Sequence, residues 1–295
     1  MTILVTGYTG RVGRIVADTL VQSHGVRPRA LVRQAHLDAG LDAPEVDLIA
    51  GDLDQPESLD AALDGIEQVF LISPVSPQLR AREAALGERA SRRTSPPAIV
   101  KVSGLGTKLD SYVDSGRWHS EAEQDLREMG LNLTALRPPF FMQNLAFRLD
   151  HVRETGRIES GIGSAAIAMV DARDIGETAA AVLAGETVID GLSVPLTGPA
   201  ALTYDDVATI LEEAMNTPVR YAPQTLEDLA ANLAHGSMPD WHQAIMLQFN
   251  RAFREGLGSE VADTVHRVLG RAPRSLLEWA QDYLAAGPRN PFPSR

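Results

Sequence analysis

Met1-Thr2-Ile3-Leu4-Val5-Thr6-Gly7-Tyr8-Thr9-Gly10-Arg11-Val12-Gly13 opens the chain, and its reading decides the fold. The apolar run through Val5 reads as a strand, three glycines spaced three apart make a turn, and residues 14–20 continue as a helix. Each glycine has a mechanical job at a dinucleotide site. Gly7 permits the tight strand-to-helix turn, Gly10 admits a pyrophosphate to backbone N–H groups, and Gly13 lets helix and strand pack closely. The diphosphate then sits at a helix N-terminus, where unpaired donors and the helix dipole favour an anion. Thr6, Thr9, Arg11 and Val12 complete the loop and join the glycines as candidate cofactor-binding residues.

Downstream, strands and helices alternate as a doubly wound parallel α/β sheet requires. Strands are predicted over 3–6, 29–32, 47–50, 68–71, 98–102 and 132–136, and helices over 11–23, 56–63, 78–92 and 120–129. After Arg137-Pro138-Pro139 the pattern loosens. A strand-like run at 166–169 precedes a turn at 171–176, a helix over 177–183 and a helix over 203–216 with Thr203 as its cap. Residues 226–287 read as mostly helical and 288–295 as a mobile tail. The predicted organisation is a nucleotide-binding part over 1–140 and a smaller, mostly helical substrate lobe over 141–295, interleaved with the sheet near 166–190.

A chain of 295 residues is long enough for a full core. It holds no apolar run of membrane-spanning length, and its first strand begins too early for a signal peptide, so a cytoplasmic protein without a membrane partner is expected. Cysteine is absent, which excludes disulfides, thiolate nucleophiles and cysteine-ligated metals. The seven histidines form no compact ligand set, and no metal is expected. A formal charge of −12 argues against a nucleic-acid partner, which needs a concentrated basic face. A monomer or homodimer is expected. The bases are 25 arginines and two lysines, Lys101 and Lys108, a bias typical of GC-rich genomes.

The end of the second predicted strand decides which nicotinamide cofactor fits. NAD sites place a carboxylate there for the ribose hydroxyls, whereas a 2′-phosphate calls for arginine. Here Arg33-Gln34 follows Val32, so NADP(H) is expected over NAD(H), with Arg11 as a second cation from the loop. Asp52 is placed either for the adenine amino group or to cap the helix entered at Pro56, and Leu53 for covering the ring. Ile72-Ser73-Pro74 runs beside the ribose and toward the nicotinamide.

These pieces resemble one family when read with Val102-Ser103-Gly104, His119-x-x-x-Glu123 and Leu136-Arg137-Pro138-Pro139-Phe140-Phe141-Met142-Gln143-Asn144. Over about residues 1–220 the order is similar to that of the NmrA-like atypical short-chain dehydrogenase/reductases, which include NADPH-dependent quinone reductases. The resemblance implies a Rossmann-type domain, a smaller substrate lobe and a nicotinamide facing the cleft between them. It also implies that Val102, Ser103, His119, Pro138 and Phe140 line the cofactor. Related reductases with a complete catalytic set carry tyrosine four residues before lysine on the helix that leads into the Arg-Pro strand. Counting back puts Ser115 and His119 at those positions, with the hydroxyl position near Ser103.

The phenolic acid is therefore missing, and another group has to protonate or stabilise the reduced oxygen. The candidates are His119, whose ordinary pKa of about 6.5 suits a proton relay or a ribose contact, Tyr112 in the preceding loop, Ser103 or Ser115 as carbonyl-positioning hydroxyls, and an acidic phenol on the substrate itself. Phe140, Phe141, Met142 and Asn144 are candidates for contact with a flat apolar ligand, and equally for packing between lobes, whereas Trp241 and Met246 belong to a helical stripe that reads as a packing face or as a lid over an apolar substrate. The expected reaction is NADPH-dependent reduction of a ketone or quinone on a small aromatic molecule, with polyketide tailoring in antibiotic biosynthesis as a setting. The alternative is a non-catalytic NADP(H) sensor acting through a protein partner. Reductive cleavage of an aryl ether is a third reading, which the missing lysine disfavours.

Overall fold

Strand β1 (Ile3–Val5) is apolar and buried at every position, as a parallel strand covered on both faces has to be. It belongs to a computed structural model that describes residues 1–187, 189 and 193–286. Along the first half follow α1 (Arg11–His24), β2 (Arg29–Val32), α2 (Gln34–Asp38), β3 (Asp47–Ala50), α3 (Leu59–Ala62), β4 (Gln68–Leu71), α4 (Leu79–Ser91), β5 (Ala98–Val102), α5 (Asp114–Glu128) and β6 (Leu133–Arg137). The second half adds α6 (Leu149–Thr155), β7 (Arg157–Ser160), α7 (Ala172–Leu183), β8 (Ser193–Pro195), α8 (Tyr204–Met215), β9 (Arg220–Pro223), α9 (Leu226–Ala234), α10 (Asp240–Arg254), α11 (Thr264–Leu269) and α12 (Leu276–Ala286).

The main sheet has seven parallel strands in the order β3-β2-β1-β4-β5-β6-β8. Strand order reverses between β1 and β4, and in doubly wound sheets the ligand crevice opens at that point, outside the strands' carboxyl ends. Thr6 ties the two strands together there. Its hydroxyl donates to the Ile72 carbonyl at 2.9 Å and accepts from the Ile72 N–H at 2.8 Å.

Alternate residues feed the two faces of the sheet. Val5, Phe70 and Val102 pack with Val16 and Leu20 of α1 and with Ile175 and Ala179 of α7. Leu4, Leu71 and Ile99 point the other way, onto Leu59, Leu86 and Leu126. Helices α1 and α7 lie so close that a Cβ at Gly176 would collide with Ile15. The lobe has its own core, in which Leu149, Ile158, Val207 and Trp279 meet beneath the two-stranded parallel sheet β7-β9. The chain leaves the Rossmann sheet at β6 and returns to it as α7 and β8.

The structure corrects four local expectations. Helix α5 begins at Asp114, not near residue 120. Ser115 and Gly116 look like helix breakers in sequence, yet a Cβ at Gly116 would press on Ser111, so close packing explains the small residue. The predicted helix over 56–63 is a 3₁₀ turn, Pro56–Ser58, followed by the single turn α3. The predicted strand at 166–169 is irregular chain whose N–H groups serve Leu202 and Gly258 through isolated bonds. Helix α7 starts at Ala172 because the Asp171 carboxylate accepts from the Arg173 N–H as an N-cap. Thr203 caps α8 as expected, in a reciprocal capping box with Asp206. The tail predicted at 288–295 lies outside the described residues. Among the described residues no helix is long and apolar enough to cross a membrane.

Candidate active site

The glycine loop fits a dinucleotide phosphate. Gly7 has φ +65°, a left-handed conformation that strains residues with a Cβ. At Gly13 a Cβ would drive into the carbonyls of Gly7 and Thr6, so helix and loop approach as closely as backbone allows. Helix α1 has no side-chain cap at Gly10 and no acidic residue in its first turn, which leaves its N-terminal donors for an anion. Thr9 is exposed at the tip of the loop and Val12 is buried beneath it.

Arg33 is exposed at the end of β2, where it begins α2. Its charge reaches Asp54, but that carboxylate is gripped bidentately by Arg82 at 2.7 and 2.9 Å. Arg11 is half-buried near Tyr283 and Asp171. Burial draws its pKa down against the fields of those two groups. Asp52 caps no helix. Its carboxylate accepts from the Asp54 N–H at 3.0 Å and closes a turn, while Leu53 packs on the core behind.

Beyond the strand ends a cavity of about 730 Å³ opens between sheet and lobe. From the sheet side it is lined by Ile72, Ser73, Val102, Ser103, Pro138 and Phe140, and from α5 by Ser115 and His119. Phe141, Asn144, Trp241 and Met246 line it from the lobe side. Pro74 is exposed at its rim.

Three of the sequence-derived candidates stand differently in the structure. Tyr112 lies outside the cavity, nearly half exposed, with its hydroxyl donating to Glu255 at 2.7 Å. Burial and the neighbouring carboxylate push its pKa up to about 12, the wrong direction for an acid. Met142 is fully buried in the lobe core, packed with residues such as Leu145 and Met169, and does not reach the cavity wall. Ser103 lines the cavity, but its hydroxyl donates to Glu123 at 2.6 Å. That carboxylate also takes Arg137 at 2.7 Å and Arg127 at 3.2 Å, so the Ser103 proton is committed and its free capacity is as an acceptor.

His119 sits at the end of a buried polar relay that sequence reading missed. Lys101, in mid-strand of β5, pairs with Glu83 of α4 at 2.8 Å, and both side chains are fully buried. Ser73 donates to the same carboxylate at 2.8 Å. Lys101 Nζ also lies 2.8 Å from His119 Nδ1. An ammonium only donates, so Nδ1 is the acceptor and the imidazole carries its proton on Nε2. Burial first, then the charges of Lys101 and Arg137, hold the His119 pKa well below the usual imidazole value. This opposes the proton relay expected of His119, while the expected ribose contact needs only a donor. His119 is a neutral hydrogen-bond donor whose tautomer is set by Lys101.

Ser115 stands one helical turn before His119 on the same face of α5, is buried, and makes no hydrogen bond to a described residue. Both residues line the cavity, and their uncommitted donors are an O–H and the Nε2–H. The signal in sequence was the spacing Ser115, His119, Glu123 on a face whose neighbours, Ala122 and Leu126, are apolar. A second signal was a lysine inside the otherwise apolar run Ala98-Ile99-Val100-Lys101-Val102.

Comparison with known proteins places this geometry. The model of the NmrA-like family matches residues 118–279. The chain belongs to that family. The model described as NAD(P)H-binding matches residues 7–186, the part that holds the glycine loop. The chain is 35% identical to an NAD(P)H azoreductase of Xenophilus azovorans over 96% of its own length and 98% of that protein's. It is 30% identical to a (4-alkanoyl-5-oxo-2,5-dihydrofuran-3-yl)methyl phosphate reductase of Streptomyces griseus, with 96% and 98% covered. The NADPH complex of an NADPH-dependent quinone oxidoreductase from Escherichia coli shares the fold, with a TM-score of 0.86 at 23% identity over 96% of this chain and all of that one. This member of the NmrA-like family is an NAD(P)H-dependent oxidoreductase.

Proposed function

We propose that the protein reduces a ketone or quinone carbonyl of a small aromatic molecule with NADPH. The observation that carries the proposal is the pair of donors, Ser115 Oγ–H and His119 Nε2–H, on the wall of an apolar cavity beside the strand ends that line the nucleotide crevice. The family's reductases support it. The cofactor is NADP(H), in preference to NAD(H). Gly7, Gly10 and Gly13 hold its diphosphate, and Arg33 receives the 2′-phosphate. When bound, the cofactor supplies a hydride from its nicotinamide.

The chain's own residues bind and polarise. Phe140, Phe141 and Trp241 offer aromatic surface to a flat ring. Ser115 and His119 donate to the carbonyl oxygen and strengthen those bonds as negative charge develops on it, the differential stabilisation that lowers a barrier. Neither is a strong acid. The reduced oxygen takes its proton from water or from a neighbouring phenol of the substrate. In a sensor, side chains such as Phe141 or Met142 could block the cleft. Instead Met142 lies in the core and the cavity stays open, which favours turnover.

NADPH oxidation, followed at its absorbance band with quinones and hydroxyaryl ketones, proceeds faster than NADH oxidation. Tight NADPH binding with no oxidation across that panel would move the reading to the sensor. Arg33→Ala weakens NADPH by about tenfold or more while leaving NADH near its wild-type affinity, since a hydrogen bond to a charged group contributes about 1.5–3 kcal/mol. Unchanged NADPH affinity in a titration would exclude Arg33 from the phosphate site.

His119→Ala lowers kcat on the order of 100-fold, the usual cost of deleting an oxyanion donor. The wild-type rate shows no histidine step between about pH 6 and 8, because the folded ring is neutral throughout. The same depression makes folding pH-dependent. Below about pH 6.5 the unfolded chain takes up a proton at this histidine that the folded chain refuses, so this contribution to stability falls as acid is added. A kcat profile with a step near 6.5 would overturn the assignment.

A further inference from the structure

Arg148 is the one full charge on the cavity wall among the described residues; the other lining residues are apolar, hydroxylic, amide or imidazole. It enters from the lobe side, just before α6. Its only hydrogen bond to a described residue is Nη1 to the Glu159 carbonyl, at 2.7 Å, and no carboxylate of a described residue lies within ion-pair distance. A guanidinium has five N–H donors. Most of this one's donors are therefore spent on no protein acceptor. The neighbouring Arg254 shows the contrast. Its donors go to the carbonyls of Gly161 and Gln224, and it is absent from the wall.

Ser160 and Tyr204 line the same cavity and add hydroxyl groups to it, whereas the Asn250 amide is taken by the Gly161 N–H and the Met246 carbonyl. The positive field of Arg148 is felt there, since it opposes the rise that burial imposes on the Tyr204 phenol. The cavity thus has a donor pair at the sheet end and a fixed positive charge at the lobe end, with aromatic and aliphatic walls between. A half-buried guanidinium with no protein counter-charge keeps donors that an arriving anion can take in charge-assisted hydrogen bonds. The net charge of −12 does not cancel this attraction. Surface charges are screened within about 10 Å at ordinary salt, whereas Arg148 acts inside the cavity at contact range.

We propose that the substrate carries an anionic oxygen group, such as a carboxylate, sulfonate or phosphate ester, which docks on Arg148 while its carbonyl is held at Ser115 and His119. The docking holds the ring between two fixed points and selects anionic aromatics over neutral ones. This inference rests on the carbonyl-reductase reading for the position of the other end of the substrate.

The test compares 1,2-naphthoquinone with 1,2-naphthoquinone-4-sulfonate as NADPH-dependent substrates of the wild type, Arg148→Gln and Arg148→Lys. Taking the ratio between variants cancels the different intrinsic reactivity of the two quinones. The sulfonate-to-neutral ratio of kcat/KM is expected to fall about tenfold or more in Arg148→Gln, mainly through KM for the sulfonate, and to be largely retained in Arg148→Lys. An unchanged ratio in Arg148→Gln overturns the proposal, and turnover of both quinones would then leave the reductase reading standing. Calorimetric titration of the NADP⁺-loaded protein with 2-naphthalenesulfonate and 2-naphthol supplies the second readout. Arg148-dependent preference for the sulfonate, with neither quinone reduced, would support the docking site and overturn the reductase reading. Equal affinity of the wild type for both ligands overturns the docking site.

Discussion

Lys101→Met lowers folding stability by about 3–5 kcal/mol, the cost of removing one partner of a buried ion pair and stranding the other. Glu83 is fully buried and keeps only Ser73 as a donor once the ammonium is gone. The double variant Glu83→Leu with Lys101→Met regains most of the loss, because two apolar side chains need no partner. Urea unfolding of both single variants and the double variant measures this as a cycle. Additive effects would show that the pair is not coupled. The same lysine substitution frees His119 Nδ1 and removes a charge that held its pKa down, so the imidazole titration seen by NMR moves up toward about 6.5. A role limited to packing would change stability and leave that titration where it was.

Gly13→Ala weakens NADPH on the order of 100-fold while the protein stays folded. The new Cβ meets backbone carbonyls of Gly7 and Thr6, which have no rotamer with which to yield, so the loop itself has to move. A displacement of about 1 Å is enough for such a loss where phosphate contacts are made by backbone N–H groups. Fluorescence titration with NADPH, alongside circular dichroism to check the fold, reads both parts of the expectation. Wild-type affinity would mean that the loop does not hold the diphosphate.

The Rossmann half was legible because its signals are local. The strand, the glycine turn and the helix at 1–24 follow one another directly, and each later strand is a short apolar run between turns. Gly13 could be assigned from spacing because its constraint is a backbone approach within one loop. The site's electrostatics were hidden because they are assembled from distant elements. Glu83, Lys101 and His119 come from α4, β5 and α5, and no spacing rule links them. Ser103 was read as a donor because its partner, Glu123, lies twenty residues on, and only the fold brings them to 2.6 Å. Tyr112 and Met142 failed for the opposite reason. A chain position beside the cleft does not say which way a side chain turns, and these turn to Glu255 and to the lobe core.

The return of the chain through α7 and β8 has a consequence for how this protein is made. Until β8 arrives, β6 is an open edge, and until α7 arrives the face formed by Val5, Phe70, Val100 and Val102 lacks half its cover. Synthesis runs at about 5–20 residues per second, so the stretch from 140 to 195 keeps that surface incomplete for roughly several seconds on the ribosome. The nucleotide-binding sheet cannot close until β8 has been made. A fragment cut at residue 140 would therefore be adhesive rather than a free-standing cofactor-binding module.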